Sequence, residues 1–307
     1  MIAFGCAITD AETYERYAGP GIASVAEPDS QIHAYGSAGS IFRNYNLVID
    51  QVKDRDDLEA LVLLHQDAEI ADPDFCAKVR SALEDPEVAI VGCAGAIGVR
   101  SIAWWEGAVT WAAFSHRYEE EGGGEIPALT WDQQKLPSYA RLGEVDTVDG
   151  FAIALSPWAV RELRFDETLG PMHGYDFDIC LQARAAGKKV ITQDFRVIHH
   201  HSLDMIQGVD GWVEAHMRIA EKWDGRFPEV GTAAGDWKQR ARRAEAELAA
   251  TRMVGFAAEQ VWTARVEALR SELRDTKSSS SWRLTRPLRR LGRLLKRSGD
   301  PGPSTLD

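Results

Sequence analysis

Three clusters of histidine and acidic residues border apolar segments of the 307-residue sequence. His65-Gln66-Asp67 follows "LVLL", and the run His199 to His201 follows "FRVI". The third cluster, "HGYDFD" (173–178), opens a predicted helix. Imidazole and carboxylate groups are costly to bury without partners, so at element ends they are usually exposed, paired or bound to a ligand.

Groups of these types suggest metal-assisted transfer chemistry. A carboxylate and an imidazole nitrogen converging from two strand ends can hold Mg²⁺ or Mn²⁺ and leave coordination positions for a diphosphate. The cation would neutralise charge on a diphosphate leaving a sugar, while a second carboxylate accepts the proton of the attacking hydroxyl. Asp67 and one of the three histidines suit the first role, and Asp176 suits the second.

Each cluster also has a purely structural interpretation. Asp176 and Asp178 can complement a helix dipole, Asp67 can cap the turn into the next helix, and the histidines can be edge residues. The clusters nevertheless share one property, because all lie at element ends, where α/β domains place their ligands. The joint pattern favours a site.

Alternating strand and helix patterns predict the elements that position these residues. Apolar runs predict strands, helical spacing predicts helices between them, and the alternation predicts an α/β domain with a largely parallel sheet. Later segments predict a helix with Ser156 as cap and Pro157 at its first position, and a helix ended by Gly187. The predicted strands are "IAFGCAI", "ALVLL", "EVAIVGCAG", "EVDTVDGFAIAL" and "KVITQDFRVIHHH", the last a strand or strand pair; the predicted helices are "SIFRNYNLVIDQV", "DPDFCAKVRSALED", "SPWAVREL", "YDFDICLQARAAGKK" and "GWVEAHMRIAEKW".

Composition excludes several classes of protein. A net charge of −12 argues against a general nucleic-acid binder, which needs Lys and Arg to neutralise phosphates. No apolar run is long enough to cross a bilayer, and the first residues lack the pattern of a secretory signal. The four cysteines are scattered without a CxxC pair, as in a cytoplasmic protein with reduced thiols.

The composition changes after residue 231, and this change predicts three parts of the chain: a domain over 1–231, a helical or coiled-coil extension over 232–276, and a final segment over 277–307. The final segment comprises a flexible "KSSSS" break, a basic amphipathic helix and a disordered end. "WRLTRPLRRLGRLLKR" can lie on an anionic membrane surface or dock on the acidic body of its own chain, and both alternatives stay open. The extension is a candidate for homo-oligomerisation.

Taken in order, the motifs resemble a family 2-type glycosyltransferase of the GT-A fold, closest to the bacterial glycosyltransferase-like group whose metal motif is HQD. The similarity covers residues 1 to about 230, and "SSWRLTRPLRRL" is similar to tails that follow such domains. The matching stretches are "CAITDAETY", "RNYN", "LVLLHQDAEI", "VGCAGAIG" with "WWEG", "VDGFAIAL", "FDETLGPMHGYDFDICLQARAAGKKV", "VIHHHS" and "EKWDGRFP".

The resemblance implies roles for the metal and base residues. Asp67 matches the metal-binding aspartate, with His200 as first choice and His199 as second choice for the histidine near the metal and diphosphate. Asp176 matches the general base, and Tyr175 stands where the family usually has Glu.

Further roles concern the donor. The resemblance places Thr9, Asp10 and Asn46 at the nucleotide, with His65 in place of the first acid of the motif. Asp149 and Gly150 fall where the family lines the donor sugar and acceptor. Trp104 and Trp105 are candidates for stacking on a sugar, with packing of the irregular middle segment as the alternative.

The implied reaction is metal-dependent, inverting transfer of a sugar from a nucleotide-diphosphate donor to an acceptor hydroxyl, with Mn²⁺ or Mg²⁺ as cofactor. The expected acceptors are glycans, lipid-linked molecules or proteins in cell-surface glycan or glycoconjugate synthesis, at a cytoplasmic location that extends to the inner membrane face. Two alternatives remain: a non-catalytic GT-A-like scaffold acting through its C-terminal helix, and a metal-dependent hydrolase built on the histidine run. The hydrolase is the weaker, because no HExxH spacing is present.

Overall fold

The computed structural model describes residues 1–97, 99, 101–103, 109–112, 114–117, 125–127, 143–200, 209–224 and 236–285. The polypeptide divides into two compact units, Met1–Gly255 and Phe256–Asp307. The domain boundaries inferred from composition remain predictions.

β-Strands and helices alternate along most of the first unit, and the helices continue into the second. The strands are β1 Ile2–Ile8, β2 Gln31–Gly36, β3 Ala60–His65, β4 Ala68–Ile70, β5 Val88–Gly92, β6 Ala94–Ile97, β7 Val109–Ala112, β8 Phe114–Arg117, β9 Glu125–Pro127, β10 Gly143–Val145, β11 Thr147–Val148, β12 Ala152–Leu155, β13 Lys189–Thr192 and β14 Val197–His200. The helices are α1 Ala11–Arg16, α2 Ala18–Val25, α3 Ile41–Val52, α4 Phe75–Ala82, α5 Pro157–Glu162, α6 Tyr175–Ala185, α7 Val209–Lys222, α8 Asp236–Ser278 and α9 Ser280–Leu284, with a 3-10 turn at Glu167–Leu169.

A seven-stranded sheet in the order β10-β13-β5-β12-β3-β1-β2 forms the centre. β1 is parallel to β2 and β3, and β13 is parallel to β5. β12 runs antiparallel between β3 and β5, and β10 is antiparallel to β13. Five strands therefore share one direction, so the predicted, mostly parallel sheet is confirmed, with β10 and β12 as its antiparallel members.

β3 shows why the central strands are continuously apolar. Side chains alternate between the faces of a strand, so Leu61 and Leu63 enter one core cluster while Val62 and Leu64 enter the other. The first cluster contains the buried face of α3, and the second contains residues of α2 and α4. A sheet covered on both faces needs apolar residues at every position.

Local signals set the ends of the helices around the site. Ser156 Oγ accepts a hydrogen bond from the Ala159 amide, and Pro157 opens α5, as predicted. α6 begins after Gly174, whose positive φ of 82° suits glycine, and Gly187 follows its end with φ 78°.

Two small sheets depart from the sequence prediction. Their orders are β11-β6-β7 and β4-β14-β8-β9. The segment "KVITQDFRVIHHH" forms two strands in different sheets, so His199 and His200 lie outside the central sheet, on the strand that pairs with β4. The segment "EVAIVGCAG" likewise divides into β5 and β6.

Within the described residues, no helix is sufficiently long and apolar to cross a membrane. In the C-terminal part, α8 ends at Ser278 and α9 starts at Ser280. Residues 286–307, which carry most of the predicted basic amphipathic helix, lie outside the described residues.

Candidate active site

Three polar residues, His65, Gln66 and Asp67, stand at the end of β3, and Gln66 has a different role from the other two. Gln66 Oε1 accepts hydrogen bonds from the Thr9 and Asp10 amides at 2.8 and 2.9 Å, and its amide donates to Thr9 Oγ1. Gln66 thus fastens the loop after β1 to the end of β3. His65 and Asp67, on either side of it, are left to form the site.

Pairing between β4 and β14 brings a histidine to Asp67. His199 is the register partner of Ala68, and the His200 amide donates to the Asp67 carbonyl at 2.7 Å. His199 Nε2 consequently lies 3.5 Å from Asp67 Oδ1, and His65 Nδ1 lies 3.9 Å from the same oxygen. The ring of His199 stacks on Phe151, with centroids 4.6 Å apart.

The three side chains form a group that fits a divalent cation. One ligand atom from each lies within 4.8 Å of the others. Separations of 3.5 and 3.9 Å suit one ion held by bonds of about 2.0–2.2 Å. The side chains of His65 and Asp67 are each 26% exposed, and that of His199 is 14% exposed, so solvent can reach the group.

Electrostatic interactions within the group are strong. Burial alone would raise the pKa of Asp67, but the charge and hydrogen bond of His199, with the charge of His65, hold that pKa well below its usual range. Burial opposes protonation of His199, yet the charge and hydrogen bond of Asp67 raise its pKa. Burial dominates at His65 and lowers its pKa. Asp67 is therefore a carboxylate, ready to act as an anionic ligand.

His200, the first choice for the metal, lies elsewhere. Successive side chains of a strand point to opposite faces, so His200 points away from His199. Its Nε2 lies 2.7 Å from Glu69 Oε2, and its ring stacks on Tyr17 with centroids 3.9 Å apart. The order of preference is thus corrected: His199 is the histidine beside Asp67.

The N-terminal turn of α6 delivers Asp176 and Tyr175 to the same end of the sheet. Asp176 Oδ2 accepts from the Gly150 amide at 2.9 Å, and its Oδ1 accepts from the Phe177 amide at 2.8 Å. Tyr175, the neighbour of Asp176 in the chain, reaches the metal group, because its hydroxyl forms a short hydrogen bond with His65 Nε2.

Asp176 has the electrostatics of a general base. Burial, and then the charge of Asp149, raise its pKa to about 7, although backbone hydrogen bonds oppose the shift. A carboxylate with a pKa near neutrality can accept a proton at physiological pH and bind it well. Asp149 itself accepts a hydrogen bond from the Phe151 amide.

Two residues of these motifs have structural roles. Gly150 is buried, and a Cβ there would clash with the Tyr175 side chain, so this glycine makes room for Tyr175. Its place beside the donor sugar and acceptor remains a prediction. Asp178 is completely buried and receives hydrogen bonds from Gln182, Lys222 and Trp223.

The predicted nucleotide residues divide between the loop after β1 and α3. Thr9 and Asp10 are both exposed there, and Asp10 also caps α1 by accepting from the Glu12 amide. Asn46 pairs with both backbone polar groups of Phe165, and its role at the nucleotide remains a prediction. Asn44 is the asparagine that faces the loop after β2, where its Oδ1 accepts from the Ala38 amide.

Trp104, Trp105 and His201 lie outside the described residues, so their predicted roles remain predictions. Sequence reasoning did not assign functions to Phe151 and Tyr175. Tyr175 carried a signal, because it stands where the resembled family has Glu. Phe151 carried none, because an apolar residue at the start of β12 is indistinguishable from core.

In sequence, the chain is similar to a known biosynthesis protein. No protein-family model matches the chain. The streptomycin biosynthesis protein StrF of Streptomyces griseus is 28% identical over 238 residues, which cover 76% of this chain and 77% of that protein.

Among solved structures, GalNAc-T7 with UDP, GalNAc and Mn²⁺ matches with a TM-score of 0.50 at 11% identity, over 80% of this chain and 54% of that one. This chain therefore spans about half the length of GalNAc-T7. The mannosyltransferase PcManGT from Pyrobaculum calidifontis, in complex with GDP-Man and Mn²⁺, matches with a TM-score of 0.43 at 13% identity, over 92% and 82% of the two chains. The fold is that of the GT-A glycosyltransferases.

Proposed function

We propose that this protein is a metal-dependent glycosyltransferase that moves a sugar from a nucleotide-diphosphate donor to an acceptor hydroxyl. One observation carries the proposal: His65, Asp67 and His199 meet at the carboxyl end of β3, and Tyr175 links this group to the residue beside it, Asp176. Ligands of α/β sheets bind beyond the carboxyl ends of the strands. We assign the chain to the family 2-type group with an HQD motif on the strength of the motifs alone.

The residues of the chain have distinct tasks in this proposal. Asp67 and His199 hold the cation, which when bound neutralises the charge of the departing diphosphate. The loop of Thr9 and Asp10, fastened by Gln66, lines the nucleotide. Asp149 faces the donor sugar, and Asp176 accepts the proton of the attacking hydroxyl, in a single displacement that inverts the anomeric carbon.

The comparisons support the class of donor. GalNAc-T7, which shares the fold, was solved with UDP, GalNAc and Mn²⁺. StrF is named for the biosynthesis of a small molecule. We therefore propose glycans or glycoconjugates of the cell surface as acceptors and include small-molecule alcohols in the acceptor panel.

A transfer assay with UDP-, GDP- and dTDP-sugars, run with Mn²⁺ and with EDTA, tests the proposal. We expect turnover of one donor class that EDTA abolishes, with product of inverted anomeric configuration by NMR. Asp176→Asn should lower the rate about 10²- to 10⁴-fold, because general base catalysis contributes factors of this size. Asp50→Asn, the same change at an exposed residue of α3, is the matched control and should retain the full rate.

The opposite result identifies the scaffold alternative. A protein that binds none of the nucleotide sugars by titration calorimetry, with or without metal, is not a transferase. An Asp176→Asn variant with the wild-type rate would remove Asp176 from the role of base.

We also propose that the basic segment over 282–297 associates with anionic membranes, where a lipid-linked acceptor would be found. Its six arginines and one lysine stand among leucines without an acidic residue. Truncation after Asp275 should abolish sedimentation with anionic liposomes, and an unchanged pellet fraction would reject the proposal.

A further inference from the structure

We propose that His65 is a third protein ligand of the cation, that Tyr175 positions it, and that this pair makes the site select Mn²⁺ over Mg²⁺. The inference rests on the proposed function for the role of the cation, but it concerns metal binding alone. It goes beyond the nucleotide contact that the sequence suggests for His65.

The two nitrogens of His65 face two different partners. Nδ1 lies 3.9 Å from Asp67 Oδ1, on the side of the metal group, and Nε2 is hydrogen-bonded to the Tyr175 hydroxyl. A cation beside Asp67 requires an unprotonated Nδ1, and the ring proton then resides on Nε2. Tyr175 is the acceptor that holds this tautomer, as hydrogen-bonded outer groups do for metal-ligating histidines.

Packing fixes Tyr175 in this position. The residue is 5% exposed, its ring lies over Gly150, and Tyr45 packs against it edge-on with centroids 5.6 Å apart. The buried Tyr45 hydroxyl has no hydrogen-bond partner among the described residues. His65 and Tyr175 are the two residues that differ from the family pattern, and in the structure they form one hydrogen-bonded pair.

The resulting donor set determines the metal. Two imidazole nitrogens and one carboxylate oxygen suit borderline transition metals, whereas Mg²⁺ prefers oxygen ligands and retains its water. Replacing His65 by Asp would give two carboxylates and one imidazole, a set more favourable to Mg²⁺.

Metal titrations of the full chain without any donor test the inference. We expect wild type to bind Mn²⁺ at least about tenfold more tightly than Mg²⁺, and His65→Asp to reduce this ratio. Tyr175→Phe should weaken Mn²⁺ binding about 10- to 100-fold. Tyr35→Phe, the same change at a β2 residue whose hydroxyl contacts His33 and not the metal group, is the control and should stay within about twofold of wild type.

Pulsed EPR of bound Mn²⁺ gives an independent measurement. Wild type should show nitrogen couplings from two histidines, and His65→Asp should show one. Equal affinity for the two metals, one nitrogen ligand in wild type, or unchanged Mn²⁺ affinity in Tyr175→Phe would each overturn the inference. These results do not depend on turnover, so a protein that selects Mn²⁺ without transferring sugar would contradict only the proposed function.

A separate observation concerns α8, and from it we infer that residues 262–273 pair with a second copy of this chain as an antiparallel coiled coil. Trp262, Val266, Leu269 and Leu273 are 68, 40, 51 and 49% exposed, and their 4-3-4 spacing places them at the a and d positions of a heptad. Such a seam is covered by another helix in a stable assembly.

Flanking charges select the partner and its direction. In this register Arg265 and Glu272 occupy g positions and Arg270 an e position, and all three are exposed. In a parallel pair, Arg265 would face Arg270 of the other copy, and the two like charges would repel. In an antiparallel pair centred between Val266 and Leu269, Arg265 of each copy faces Glu272 of the other, which gives two ion pairs. The charges of a second copy therefore complement the antiparallel arrangement.

Analytical ultracentrifugation of the full chain tests this pairing. We expect a species of twice the 34.0 kDa chain mass, lost in Leu269→Glu. Arg265→Glu should weaken the dimer about tenfold, and adding Glu272→Arg should restore it. A monomer at about 100 µM, or tighter association of Arg265→Glu as a parallel pair requires, would overturn the inference.

Discussion

At the scale of single residues, Asp176 holds the position of the proposed base, and its buried charge lowers the stability of the folded protein at neutral pH. Its pKa in the folded protein is about 7, above the ordinary value of 3.8, because burial and Asp149 disfavour the charge. A raised carboxyl pKa contributes stability below pH 4 that is lost as the pH rises through 7. The protein therefore carries an unfavourable buried charge where it needs a base.

The Asp176→Asn variant should consequently gain stability relative to wild type as the pH rises. Near pH 4 we expect it to be no more stable, since the amide keeps one of the two backbone hydrogen bonds. Between pH 4 and 8 the difference in unfolding free energy should move in its favour by on the order of 2–4 kcal/mol. Urea denaturation at several pH values measures this trend, and a difference independent of pH would show that Asp176 ionises normally.

Gly150 tests the contact between the loop before β12 and α6. Alanine at this position would place Cβ within 2.3 Å of two atoms of the buried Tyr175 side chain, so Tyr175 or the loop must move. We expect Gly150→Ala to destabilise the protein by about 1–3 kcal/mol, as overpacking does. Gly36→Ala, with nothing within 4 Å of its Cβ, should have a much smaller effect on the melting temperature.

At the scale of elements, Asp178 joins α6 to the end of α7. It accepts from Trp223 Nε1 at 2.8 Å and from Gln182 Nε2 at 2.7 Å, and Lys222 Nζ lies 2.9 Å away. Asp178→Ala removes the buried acceptor of the Trp223 indole and one of the two carboxylates that face Lys222, so we expect a loss of about 3–5 kcal/mol. Asp166→Ala, which removes the more exposed acceptor of the same lysine, should cost about 1 kcal/mol or less. Similar losses of stability in the two variants would contradict the larger contribution that we assign to Asp178.

The elements also show what the sequence could predict and what it could not. Periodicity predicted β3 and the buried face of α3, because the sheet core uses every residue of β3 and one stripe of the helix. It could not separate "KVITQDFRVIHHH" into strands of two sheets, since this depends on pairing with β4, about 130 residues away. The choice between His199 and His200 follows from that register. The pairing of Asn46 with Phe165 was likewise beyond the sequence, because the two residues are distant along the chain.

At the scale of the whole molecule, a cation that binds only the folded state should stabilise the folded chain. A ligand at 100 times its Kd adds about 2.7 kcal/mol, which for a unit of this size corresponds to roughly 5–10 °C in Tm. We expect Mn²⁺ to produce such a shift and EDTA to reverse it.

His199→Ala should abolish the shift, because it removes the ligand beside Asp67. His200→Asn should melt lower without metal, through loss of its contact with Glu69, yet keep the Mn²⁺ shift. A shift lost in His200→Asn and kept in His199→Ala would place the cation on the other face of β14.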